Sequence, residues 1–91
     1  MTKEEQVGRG QRANAILSDP LFAEAFDGVR ERLISVMETA KTDDATLKAK
    51  LCLGLLNDAK QYLSRVITDG LMAAEQLKFE AEEKKRRGWF S

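Results

Sequence analysis

Histidine is absent from this chain and cysteine occurs once, at Cys52. No intramolecular disulfide can form, and the common zinc ligand sets cannot be assembled. No metal or other cofactor is expected. Proline also occurs once, at Pro20, so rigid breaks in the backbone are rare. Net charge is missing too: fifteen Lys plus Arg balance fifteen Asp plus Glu. No overall field therefore draws nucleic acid or an anionic membrane from a distance, and any such contact must be local. No apolar run approaches the roughly 20 residues of a membrane span. The opening MTKEEQ is acidic where a secretory leader is basic and then apolar, so the chain is expected to be cytosolic to the cell that makes it. Its 91 residues suit one small domain, which buries only a modest fraction of its surface when it folds alone. Its stability is expected to need help.

What is abundant is helix-forming: Ala, Leu, Glu, Lys, Arg and Gln recur from end to end without strand-like alternation. Thr2 and Glu5 stand at capping-box spacing, which predicts a short first helix over residues 3–17. Gly8 and Gly10 each cost about 1 kcal/mol relative to alanine in a helix interior, so this helix is expected to fray before Gln11. Asp19-Pro20 marks a new start, with Asp19 as cap and Pro20 at the first helical position, where the missing N–H costs nothing. In a helix over residues 20–40, Phe22, Phe26, Val29, Leu33, Val36 and Ala40 step by four and three like a coiled-coil seam. Leu21, Ala25, Ile34 and Met37 broaden that stripe. Thr42 or Asp43 caps a third helix over residues 44–87, and the short connection makes the two neighbours antiparallel. Its seam reads Cys52, Leu56, Ala59, Leu63, Val66, Gly70, Ala73 and Leu77, flanked by Leu51, Leu55, Tyr62, Ile67 and Leu71. Asp69-Gly70 offers the one candidate break in it. Unbroken, this helix is about 65 Å long against roughly 30 Å for its predecessor, so half of it overhangs. The first helix folded back in line, another subunit or a partner protein would cover the overhang. Self-association is the favoured expectation, through Phe22, Phe26, Leu63, Val66, Leu71, Leu77 and Phe79. The fold class is all-α: an antiparallel hairpin of two to three helices with a long C-terminal helix, expected to oligomerise.

The ending KKRRGWFS carries the sharpest functional signal. Glu80, Glu82 and Glu83 precede Lys84, Arg86 and Arg87 by four residues, a spacing that pairs them on a helix, and Gly88 suits a helix terminus. The bases then read as a solvated helix end. Trp89 and Phe90, in the tail 88–91, have no role in capping. Aromatics beside arginine are favoured in interface hot spots, so Arg86, Arg87, Trp89 and Phe90 are the candidate partner-binding residues. GRGQR (8–12) lacks the preceding strand and the Lys-Ser or Lys-Thr of a phosphate loop. It reads as a flexible opening, with Arg9 and Arg12 as alternative contacts to a nucleic-acid backbone. Cys52 has no histidine to make it a nucleophile and is expected to be a small core hydrophobe. The carboxylates are scattered over exposed helix positions. No catalytic residue and no small-molecule substrate are assigned, and the chain is not expected to be an enzyme.

At ANAILSDPLFAEAFDGVRERLI, Ala13 to Ile34, the chain resembles a group of small helical proteins encoded by tailed bacteriophages, often among head and packaging genes. The resemblance extends over Arg12 to Phe90 and rests most on DPLFAEAFD and the basic-aromatic ending. It implies either an assembly role in the host cytoplasm or a place in the virion, and it carries over no functional residues. The resulting expectation is a non-enzymatic assembly protein that partners itself and another phage protein. One alternative is a small terminase subunit recognising DNA for packaging through Arg9 and Arg12. Another is a phage-encoded inhibitor that caps a host enzyme.

Overall fold

The computed structural model describes the backbone of residues 1–90 and the side chains of residues 1–88. Three helices follow one another: α1 (Lys3–Ser18), α2 (Pro20–Thr39) and α3 (Asp43–Phe90). Each start is built by the residue whose chemistry suits it. Thr2 Oγ1 accepts the backbone N–H of Glu5 at 3.1 Å, and Thr42 Oγ1 accepts that of Ala45 at 3.1 Å. Asp19 serves two helices at once. Its N–H donates to the Ile16 carbonyl at the end of α1, while its Oδ1 accepts the N–H groups of Leu21 and Phe22 at 2.8 and 3.3 Å. Pro20 follows at the first helical position, where no N–H is needed.

Three contacts define the topology. Lys3 pairs with Glu80, Gly10 meets Gly70, and the Lys60 ammonium stands 4.8 Å over the Phe26 ring. As numbering rises through α1 and α2 it falls along α3, so α1 and α2 lie in line, both antiparallel to α3. The result is a rod of 75 × 24 × 17 Å with a radius of gyration of 20.6 Å, against about 12 Å for a compact chain of this length. The overhang beyond the α2–α3 hairpin is thus covered from within by α1, the route that the preference for another subunit had set aside.

Two other expectations change. GRGQR is neither loose nor frayed: α1 runs unbroken from Lys3, and Gly10 is buried. Nor does α3 end at Gly88, expected to close it: the helix runs through Gly70 without a break, continues through Gly88 and reaches Phe90. A glycine lacks a side chain to lose but keeps its backbone hydrogen bonds. Packing at Gly70 and the helical run on either side of Gly88 outweigh its poor propensity.

The core is narrow and built from small side chains. Ala13, Phe26, Ala49 and Ala73 are its buried apolar residues, together with Gly10 and Gly70. Leu53, Leu56, Leu63, Val66 and Leu77 are half-buried along the seam. Cys52 and Ala59, expected on that seam, are exposed. Beneath α2 the buried ridge runs Ala49, Leu53, Leu56, whereas beneath α1 it runs Val66, Gly70, Ala73, Leu77. The ridge shifts by one residue where α3 changes partner. Because α1 and α2 are separate rods joined at Asp19, each meets α3 on its own line. No described helix is long and apolar enough to cross a membrane.

Candidate functional site

The crossing of α1 and α3 is a backbone-to-backbone contact. Gln6, Gly10, Ala13 and Leu17 step by four, three and four along α1, as do Val66, Gly70, Ala73 and Leu77 along α3. At the crossing the two glycines touch. A Cβ added at Gly70 would lie 2.9 Å from both the Gln6 carbonyl oxygen and Gly10 Cα, and one at Gly10 would lie 3.0 Å from Gly70 Cα. Backbone meets backbone, so nothing larger than hydrogen fits without parting the helices. Beside this contact runs a groove of about 260 Å³ lined by Val7, Gln11, Asn14, Ile67, Leu71 and Ala74.

The α2–α3 half packs differently and leaves one side apolar. Phe26 and Leu33 face α3, so Val29 and Val36, three residues on from each, stand on one edge of α2. Ala49 and Leu56 face α2, so Cys52 and Ala59, again three residues on, stand on the matching edge of α3. Leu55 and Tyr62 lie further round on that same edge. An antiparallel pair is related by a two-fold normal to the plane of its axes, which brings matching edges to the same side. Val29, Val36, Leu55 and Tyr62 are 46%, 41%, 70% and 56% exposed. Leu47 and Leu51 continue the exposed apolar surface around the outside of α3. On the opposite side the exposed positions are Asp27, Arg30, Lys50, Asn57, Lys60 and Ser64. The first side is the more apolar of the two, with Arg32 and Lys48 as its exposed charges, and the second is the more polar, with Ile34, Met37 and Leu53 half-buried along it.

The residues proposed from sequence for self-association divide accordingly. Phe26 is buried, and Phe22, Leu63, Val66 and Leu77 are half-buried in the molecule's own seam. Leu71 and Phe79 stand outside it, 65% and 64% exposed. In the basic tail, Arg86 and Arg87 are exposed, and Arg87 pairs with Glu83 at 3.0 Å. Glu80 turns to Lys3 instead of Lys84. The side chains of Trp89 and Phe90 lie outside the described residues. Arg9 is half-buried with its Nη1 at 3.2 Å from Met1 Sδ, and Arg12 is exposed one turn further on. The signal for the apolar side was present in the sequence, since Val29, Val36, Leu55 and Tyr62 all carry the heptad pattern. Only the three-dimensional pairing tells which of those positions face inwards.

Comparisons with protein-family models, with curated proteins and with solved structures give no match.

Proposed function

We propose that this protein is a non-enzymatic assembly component of a tailed bacteriophage, working through association of its helical rods and through docking of its C-terminal tail on another phage protein. One observation carries the reading. The chain exposes 7497 Å², whereas a compact monomer of its 10.2 kDa exposes about 5,300 Å². A rod with so much surface, on which Leu47, Leu51, Leu55, Tyr62 and Phe79 are each more than half exposed, has the form of a component whose neighbours complete it. The phage context rests on the likeness of Ala13–Ile34 to small helical phage proteins.

The tail reading rests on geometry and composition. Lys3, at the start of α1, pairs with Glu80, so α3 projects past α1 by about ten residues, or roughly 15 Å. Every described side chain from Ala81 to Gly88 is exposed on that projection. It carries Arg86 and Arg87 next to Trp89 and Phe90, a composition suited to entering a pocket with charged residues at its rim.

Affinity capture from infected cells with the full chain tests this reading. The wild type should retain a phage-encoded protein, and the double variant Trp89→Ala, Phe90→Ala should lose it while its circular dichroism stays fully helical. Equal retention by both removes the tail from the reading. Mass spectrometry of purified virions then separates a component of the particle from an assembly factor left behind.

A further inference from the structure

The apolar side of the α2–α3 hairpin points to a specific occupant. We infer that it is a two-fold dimer surface, on which a second copy of this chain seats its own Val29, Val36, Leu55 and Tyr62 to make a four-helix layer. The inference rests on the reading of the protein as a self-associating assembly component and names the face that does it.

Area is the first reason. The surface exposed beyond that of a compact monomer is about 2,200 Å² per chain, and a standard stable interface takes about 800 Å² from each partner. The side bounded by Phe22 to Val36 on α2 and Ala45 to Val66 on α3 is roughly 30 Å long and two helices wide, which supplies a footprint of that order. Charge is the second reason. The strip Val29, Val36, Cys52, Leu55, Ala59 and Tyr62 carries no ionised group, Arg32 and Lys48 stand beside it, and the whole chain is neutral. The long stems of Arg32 and Lys48 lie along the strip and their heads stay in water, so two copies meet through the strip while those charges remain at its rim. Symmetry is the third reason. A hairpin with one side more apolar than the other closes on itself through a single isologous contact that leaves the more polar sides outward, the arrangement of a four-helix bundle. Tyr62 suits such an interface because its ring is buried while its hydroxyl reaches the rim.

The test is the mass of the full chain by light scattering and sedimentation between 1 and 100 μM, with Cys52 as a built-in reporter. Wild type should weigh twice 10.2 kDa at the upper concentration. The Cys52 thiol, exposed in the single chain, should react with an aromatic disulfide reagent at least tenfold more slowly in the dimer. Leu55→Glu with Tyr62→Glu should weaken association at least a hundredfold and restore thiol reactivity, with helicity retained because neither side chain belongs to the core. Asn57→Glu with Ser64→Glu, on the opposite side, should leave the dimer and the slow thiol unchanged. A wild type that associates but is indifferent to the Leu55 and Tyr62 changes overturns this face while leaving self-association standing. A wild type that stays monomeric at 100 μM overturns both.

Discussion

The two halves of the rod solve the same packing problem with opposite side chains. Under α1, glycine and alanine bring two backbones into contact, with Leu17, Val66 and Leu77 half-buried beside them. Under α2, a single phenylalanine fills the gap, the Lys60 ammonium covers its ring, and the valines and leucines on one edge stay in water. Close-packed backbones complete an interface by themselves, because dispersion contacts accumulate wherever atoms meet at van der Waals distance. Helices packed around bulky rings leave more of their flanks exposed. Exposed apolar side chains are more numerous on the α2 half, from Leu21 to Tyr62, although Ile16, Leu71, Met72 and Phe79 stand open on the other.

Breaking the looser half should have the largest effect. Phe26→Ala removes its one large buried side chain and is expected to cost about 3 kcal/mol, read from urea unfolding of the full chain. The remaining contacts of α2 should then protect its amides from hydrogen exchange less than those of α1. Breaking the tighter half comes next. Gly70→Val forces a side chain to within 3 Å of the Gln6 carbonyl and Gly10 backbone, and overpacking of this kind costs about 2 kcal/mol. Exchange should quicken selectively across α1, with α2 little changed. Smallest, and of opposite sign, is the effect at the glycines of the α2–α3 half. Gly28 and Gly54 have nothing within 4 Å of an added Cβ, so alanine at either should stabilise by about 0.5–1 kcal/mol through helix propensity alone. Thermal denaturation would show this as a rise of a few degrees. A fall at Gly54 would mean that another surface lies against it.

Much of the fold was legible in the sequence because its punctuation is chemical and local. Thr2, Asp19, Pro20 and Thr42 each act within four residues of where they stand, and the four-three stepping of apolar residues names a helical face without further information. The Gly10–Gly70 contact was not legible in the same way. By local propensity a glycine inside a helix is only a weak point, and the reason for it lies sixty residues away. A signal does exist, since each glycine stands on a ladder with alanine three residues on, Ala13 and Ala73, the mark of a close crossing. Cys52 shows the other limit. It and Leu53 are neighbours with equal claims to the seam, and the choice depends on the line along which α2 approaches, which no local pattern encodes. The candidate surface follows from that choice, because the ridge taken by Leu53 leaves Cys52, Leu55 and Tyr62 on the open side.

Asp19 joins α1 to α2 alone, ending one helix and starting the next with no residue to spare. The count of residues between Gly10 and Phe26 is therefore a fixed gauge. One residue added to or removed from that stretch would turn α1 by about 100° and slide it by about 1.5 Å, aiming a side chain where Gly10 now meets Gly70. Evolution should leave this stretch at constant length and place its insertions and deletions at Ala40 and Lys41, between the end of α2 and the Thr42 cap of α3.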